Sequence, residues 1–132
     1  MPLRSVAITD KNESLVLLNA MAQIDELLDD STRECIDNCH QAVKACAHCA
    51  DECADKGEEM SECLRLCRDV VTVASTCAQL CASGSQFNSD IAETCADVCE
   101  TCADECEQHD HDHCQACVEP LRQCAESCRS MA

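Results

Sequence analysis

Cysteine is the most restrictive feature of this chain, because seventeen of its 132 residues are cysteine and most of them recur with the period of an α-helix. The commonest steps between neighbours are three, four and seven residues, which return to one face of a helix that turns about 100° per residue. Alanine, leucine and glutamate surround them, and the chain contains one phenylalanine and no tyrosine or tryptophan. The pattern predicts an all-α protein whose helices carry stripes of thiols.

Five helical segments follow from the residues that interrupt this pattern. Their ranges are 13–28, 32–56, 58–82, 89–108 and, after residue 113, to about residue 129. The second segment is expected to begin at a Ser31 or Thr32 cap and to end at Gly57. Pro120 predicts a kink in the fifth segment or irregular first turns.

The cysteines belong to the last four segments, and each set falls within an arc of roughly 60 to 80° on its own helix. They are Cys35, Cys39, Cys46, Cys49 and Cys53, then Cys63, Cys67, Cys77 and Cys81, then Cys95, Cys99, Cys102 and Cys106, then Cys114, Cys117, Cys124 and Cys128. Four stripes of this kind predict an antiparallel four-helix bundle with a Cys-lined core and an additional N-terminal helix.

Antiparallel hairpins place these cysteines opposite one another in a consistent register. The pairs are Cys53 with Cys63, Cys49 with Cys67, Cys39 with Cys77 and Cys35 with Cys81, then Cys106 with Cys114, Cys102 with Cys117 and Cys95 with Cys124. The stripes have gaps, which Val70 or Val71, Val43 and Leu121 are expected to fill as an apolar layer that divides the sulfur.

Length and composition predict a single domain over residues 1–132, with an accessory helix at 13–29 and the Cys-rich bundle at 32–130. The first segment is amphipathic and is expected to pack outside the bundle or against another subunit. A formal charge of −17 argues against nucleic acid as a partner. The longest apolar run near the start, "LVLL", is far too short to span a membrane, and no basic leader precedes it, so a cytoplasmic location is expected.

Several roles are open to so many thiols. A reducing compartment and an odd number of cysteines disfavour a ladder of disulfides. A catalytic cysteine needs a base beside it, and no Cys-His-Asn or Cys-His-Asp set is recognisable, so an enzyme is not expected. Iron–sulfur proteins place their cysteines on loops, whereas "CADVC" and "CETC" lie in helical sequence.

A soft monovalent ion suits the pattern best. Thiolates select Cu(I), which accepts two or three sulfur ligands, and the dominant C-x-x-x-C step presents two thiols on one helix face. One monovalent cation per thiolate keeps a buried core near neutral. If thiolates bridge neighbouring ions, the capacity is on the order of 10 to 20 Cu(I) ions per chain. Sequestration of zinc or cadmium in four-cysteine clusters and a thiol redox reservoir remain alternatives.

The repeated motifs "CIDNC", "CADEC", "CLRLC", "CAQLC" and "CADVC" on four helices resemble those of the bacterial copper storage proteins, over about residues 32–130. Without an export signal, the chain resembles the cytosolic branch of that family. The resemblance implies storage or buffering of Cu(I), with detoxification, by thiolates inside the bundle. It also implies a homo-tetramer and a core-facing role for all seventeen cysteines.

The turns after the second and fourth segments should lie at the same end of the bundle. This end carries Met60 and the "QHDHDHC" stretch, which contains His109, His111 and His113. Members of the family have His or Met near the open end, so these four residues resemble a site where copper is loaded, and His113 is favoured because it adjoins Cys114. A solvated polar turn is the alternative. His40 and His48 lie off the thiol stripe and are expected at the surface or at an interface.

Overall fold

The computed structural model describes residues 11–132, which form five α-helices and one short 3-10 helix. The α-helices are α1 (Lys11–Leu27), α2 (Asp30–Cys53), α3 (Ser61–Ala82), α4 (Asn88–Glu107) and α5 (Asp112–Met131), and the 3-10 helix is Glu58–Met60. Helix α2 packs against α3 and α5, and α4 packs against the same two helices. The predicted all-α bundle with an additional N-terminal helix is therefore confirmed.

Helix α2 begins two residues earlier than the sequence predicted. Its cap is Asp29, whose Oδ1 accepts a hydrogen bond of 2.8 Å from the backbone N–H of Thr32. This bond lowers the pKa of the Asp29 carboxyl. A carboxylate at this place satisfies a free N–H group and interacts favourably with the positive end of the helix dipole. The prediction of Ser31 or Thr32 as cap was wrong for this reason.

The turn between α2 and α3 also differs from the prediction, because α2 ends at Cys53 and does not reach residue 56. Gly57 follows with a φ of 87°, a conformation open to glycine and strained for other residues. Its carbonyl accepts a 3.2 Å hydrogen bond from the N–H of Met60, which closes the 3-10 turn. The turn places Met60 in the core, where its exposed fraction is 2%.

Helix α5 begins at Asp112, with His111 as its cap, so the predicted start after residue 113 was two residues late. His113 consequently lies in the first turn of the helix. Pro120 lies inside α5 without ending it, and the first turn is regular, since the N–H groups of Cys114 and Gln115 both bond to the carbonyl of His111 at 3.0 Å. The expectation of irregular first turns was therefore wrong.

Helix α1 buries none of its residues. Its large apolar side chains are exposed, and they are Leu15, Val16, Leu17, Leu18, Met21, Ile24 and Leu27. Of the two expected placements, packing against the outside of the bundle is not seen in the described residues. Among residues 11–132, no helix is both long enough and apolar enough to cross a membrane.

The core contains sulfur and alanine with few larger side chains. All seventeen cysteines are buried, with exposed fractions between 0% and 3%. Between the thiols, Val70 and Leu121 are fully buried, as expected. On α2 this place is taken by Ala42, and Val43 is half-buried. The thiol stripe of α2, averaged over its five cysteines, is centred closer to Ala42, which explains why the prediction of Val43 was wrong.

Candidate metal centre

The thiols of the core are spaced as metal ligands are spaced. Several Sγ atoms lie 3.7 Å to 4.0 Å from a neighbouring Sγ atom, and those that form sets of possible ligands lie within 4.8 Å of one another. A disulfide requires about 2.05 Å, whereas two ligands of a tetrahedral site with metal–sulfur bonds of about 2.3 Å are about 3.8 Å apart. All seventeen cysteines are free thiols. The arrangement therefore suits an ion between the sulfur atoms without movement of the backbone.

One cluster, here called the far group, occupies the end of the bundle opposite the His-rich turn. Its members are Cys35, Cys39, Cys77, Cys95, Cys124 and Cys128. They form two sets of four thiols, and within each set all sulfur atoms lie within 4.8 Å of one another. Both sets include Cys39 and Cys128, whose Sγ atoms are 4.0 Å apart. Neighbouring ions in these sets would be bridged by shared thiolates.

A second cluster, here called the His-end group, lies beside the His-rich turn. Its members are Cys46, Cys49, Cys53, Cys63, Cys67, Cys102, Cys106, Cys114 and His113. It consists of three sets, and Cys49 and Cys67 each belong to two of them. Cys63 lies 3.9 Å from Cys49 and 3.8 Å from Cys106, so this cluster joins thiols of α2, α3 and α4. In this cluster too, neighbouring sets of ligands share thiols.

The predicted register holds in part. Three of the seven pairs share a set of ligands, and they are Cys49 with Cys67, Cys39 with Cys77 and Cys95 with Cys124. The other four pairs do not share a set among the described residues. At the His end, Cys63 instead lies 3.9 Å from Cys49 and 4.0 Å from Cys114. A register that pairs the cysteines of two helices at a time does not include such contacts among three helices.

Three thiols belong to none of these sets. Cys117 turns its Sγ to backbone carbonyls, donating to His113 at 3.2 Å and to Ala45 at 3.3 Å. Cys81 lies at the edge of the far group, 3.9 Å from Cys77. Cys99 is fully buried on α4.

His113 is the histidine that reaches the thiols. Its Nδ1 lies 3.4 Å from the Sγ of Cys49 and 3.5 Å from that of Cys114. Its Nε2 is buried and has no hydrogen-bond partner among the described residues. The exposed ring of His111 stacks on it, with centroids 5.2 Å apart and planes 12° apart. The exposed ring of His111 and the half-buried ring of His113 thus lie side by side next to Cys49.

The other predicted residues of this end are placed differently. His109 is held by Glu105, with 2.6 Å between Nε2 and the carboxylate Oε2. Met60 is buried in the same core as the thiols. His40 and His48 are exposed, as expected. The sequence singled out His113 because it adjoins Cys114, but its approach to Cys49 across the bundle depends on the helix start at Asp112.

Burial opposes the loss of protons from the thiols in the absence of metal. It raises the pKa of Cys81 to about 11, with repulsion from Cys35 adding to the shift. Burial likewise raises the pKa of Cys114 to about 12, assisted by Cys63. Hydrogen bonding acts the other way at Cys63, whose pKa is lowered by donation from Cys106 and Cys49. A bound cation is needed to hold many thiolates together in such a core.

The sequence matches the family model described as copper storage protein over residues 28–132. An uncharacterized cysteine-rich protein of Bacillus subtilis is 39% identical over 107 residues, which is 80% of this chain and 99% of that protein. Residues 1–27, which include α1, lie outside the family match.

Solved structures agree with the family match. Apo copper storage protein 3 from Bacillus subtilis has a TM-score of 0.72 at 42% identity, covering 76% of this chain and 98% of its own. The Cu(I)-bound protein BsCsp3 has a TM-score of 0.73 at 40% identity, covering 78% and 99%. A Streptomyces lividans copper storage protein loaded with 10 copper equivalents has a TM-score of 0.72 at 28% identity, covering 77% and 83%. This chain belongs to the copper storage protein family.

Proposed function

We propose that this chain stores and buffers many Cu(I) ions in the cytoplasm, held by thiolates inside the four-helix bundle, and thereby limits copper toxicity. The observation that carries the proposal is the sharing of ligands between neighbouring sets, at Cys39 and Cys128 in the far group and at Cys49 and Cys67 in the His-end group. Shared thiolates let the number of ions approach the number of cysteines. Such a core suits storage, where capacity matters.

The charge balance of the core supports Cu(I) over a divalent ion. Seventeen buried thiolates with a similar number of monovalent ions leave little net charge in a region with low dielectric constant. Divalent ions in the same number would leave a large positive charge. The Cu(I)-bound relative at 40% identity is consistent with this choice.

Zinc is the second candidate, because Cys49, Cys63, Cys67 and Cys106 form a buried set of four thiols such as Zn²⁺ prefers. A second buried set of four thiols consists of Cys35, Cys39, Cys77 and Cys128. Separate zinc sites require four ligands each, however, and the shared thiols allow few of them to be complete at once. Sequestration of zinc or cadmium is therefore the lesser alternative.

The proposed ligands are all seventeen cysteines, and His113 is the proposed loading residue at the His end. Its Nδ1 faces Cys49 and Cys114, and the exposed ring of His111 leads to it. Met60 and His109 belong to the same end, with His109 tied to Glu105. Copper is cargo in this account, and we expect no catalytic activity, since the family is one of storage proteins.

Assembly and location complete the proposal. We propose one domain with α1 as an accessory helix, a homo-tetramer as the family resemblance implies, and a cytoplasmic location, as described for a Streptomyces lividans relative. Exposed apolar residues on α1, such as Leu17 and Ile24, support burial of this helix in the assembly. Light scattering of the full chain and of a chain that begins at residue 28 measures the subunit number and the part that α1 plays in it.

Competition between metals tests the proposed function. The reduced, metal-free protein is mixed without oxygen with equal amounts of Cu(I) and Zn²⁺, each buffered by a chelator, and the bound metals are measured after gel filtration. Storage of Cu(I) predicts that copper fills the protein and displaces zinc. Retention of zinc with loss of Cu(I) to its chelator would favour zinc sequestration, and reversible disulfides without tight binding of either metal would favour a redox reservoir.

A further inference from the structure

The far group and the His-end group are separated by a level of the bundle at which three of the four cysteine-bearing helices have no thiol. No set of ligands in the described residues contains a thiol from both groups. Three of the four cysteine-bearing helices have a long thiol-free stretch at this level, from Cys39 to Cys46 on α2, from Cys67 to Cys77 on α3 and from Cys117 to Cys124 on α5. Buried apolar side chains fill these stretches, among them Val70 and Leu121.

Helix α4 differs, because its thiols continue without interruption from Cys95 through Cys99 and Cys102 to Cys106. Cys95 belongs to the far group and Cys102 to the His-end group. Cys99 lies between them, four residues from one and three from the other, so it shares their helix face. Its exposed fraction is 0%. Among the four cysteine-bearing helices, α4 is therefore the one that has a thiol at the level of the apolar layer.

We propose that Cys99 is the transfer ligand through which Cu(I) passes from the His-end group to the far group. The proposal rests on the proposed function and adds a direction of filling to it. Copper that reaches Cys49 by way of His113 spreads among the His-end thiols and crosses the apolar layer along α4. The layer formed by Val70, Leu121 and Ala42 offers Cu(I) no ligand elsewhere at this level.

The transfer step is an exchange of ligands without oxidation or reduction. A Cu–S bond to Cys99 forms while a Cu–S bond to Cys102 breaks, and the proton of the Cys99 thiol passes to the thiolate that Cu(I) leaves. Cu(I) remains monovalent throughout, so charge and protons balance. A three-coordinate intermediate that holds both sulfur atoms is within the coordination range of Cu(I).

Three thiols outside the ligand sets provide a matched comparison. Cys99→Ser removes the transfer ligand, whereas Cys81→Ser and Cys117→Ser remove a thiol at the far end and at the His end. Each variant loses one proposed ligand and leaves the five sets of closely spaced ligands whole. Circular dichroism checks that each remains helical, and Cys99→Ala serves as a second variant without a hydroxyl in the core.

The experiment follows the filling of each group separately. Full-length protein with ¹³Cβ-labelled cysteine is reduced, loaded without oxygen from a buffered Cu(I) solution, and observed by NMR as the cysteine resonances of the two groups shift. The proposal predicts that Cys99→Ser and Cys99→Ala fill the His-end group at the wild-type rate and the far group at least about tenfold more slowly. Cys81→Ser and Cys117→Ser each lack one proposed ligand, so they should lose about one ion of capacity but fill both groups at the wild-type rate.

Two results would overturn the transfer role. One is filling of the far group at the wild-type rate in both Cys99 variants, and the other is slow filling of that group in Cys81→Ser, which would show loading from the far end. Failure of the proposed function is distinct from both, because the wild-type protein itself would then take up no Cu(I).

Discussion

The Nδ1 atom of His113 lies 3.4 Å from the Sγ atom of Cys49, although the two residues are 64 positions apart in the chain. This contact joins the first turn of α5 to the last turns of α2 at the end of the bundle. The second ring nitrogen of His113 is buried without a partner among the described residues. An imidazole in this position can hold Cu(I) before the thiols take it.

We expect His113→Ala to slow the uptake of Cu(I) by at least about tenfold and to change the final capacity by no more than about one ion, because the thiols remain. Stopped-flow mixing with a coloured Cu(I) complex measures the rate. His109→Ala is the matched control, since its Nε2 is engaged with Glu105. Equal rates for His113→Ala and the wild type would argue against a loading role.

The apo protein should lose stability in alkaline solution. Burial raises the pKa of Cys81 to about 11 and that of Cys114 to about 12, from a usual value of 9.0. Between pH 9 and 12 the unfolded chain therefore releases protons that the folded chain still holds, so the free energy of unfolding falls as pH rises. Anaerobic urea denaturation at pH 7, 9 and 11 measures this effect. An unfolding midpoint that is unchanged from pH 9 to pH 11 would contradict the account.

The apolar layer should contribute strongly to apo stability, since few large aliphatic side chains are buried elsewhere. Leu121 has an exposed fraction of 0%. We expect Leu121→Ala to lower the free energy of unfolding by about 2–5 kcal/mol, because it leaves a cavity. Phe87→Ala removes a larger side chain that is 57% exposed before α4 and should change stability by about 0.5 kcal/mol or less. Equal effects of the two variants in urea denaturation would show that Leu121 is not a core residue in solution.

Bound copper should stabilise the fold more than the packing of the apo core does. The buried residues are mainly cysteine and alanine, so little hydrocarbon is removed from water when the apo protein folds. A ligand that binds the folded chain adds about 4 kcal/mol per site at a thousand times its dissociation constant. Differential scanning calorimetry should therefore give a much higher Tm for the loaded protein than for the apo protein. The same Tm for both would mean that the metal is not bound in the core.

The bundle could be predicted from the sequence because the cysteines mark one face of each helix. The chain itself shows that Cys35 and Cys39 share a face, and the pairing of Cys49 with Cys67 follows from an antiparallel hairpin. The helix ends are harder to predict from the sequence, because Asp29, Ser31 and Thr32 are all suitable caps. Only the hydrogen-bond geometry decides between them. Gly57 was recognised as a breaker, but the 3-10 turn after it was not.

The sequence predicts which residues form the site, but only partly which thiols lie next to one another. Burial of every thiol follows from the stripes, whereas the joining of Cys49, Cys63 and Cys106 depends on contacts among three helices, which a pairwise register does not contain. The distinction between His109 and His113 likewise depends on Glu105, one turn before His109 on α4. These relations come from side-chain direction in the folded bundle.

The capacity of the core for Cu(I) is the most direct test of the central claim. The reduced full-length protein is titrated with Cu(I) without oxygen, in the presence of a strong coloured Cu(I) chelator, and the bound ions are counted by native mass spectrometry. The account predicts that the protein withholds copper from the chelator until it holds on the order of 10 to 20 ions per chain, near one for each cysteine. Saturation at about four ions, as isolated four-cysteine sites would give, or loss of Cu(I) to the chelator from the start, would contradict storage in a shared thiolate core.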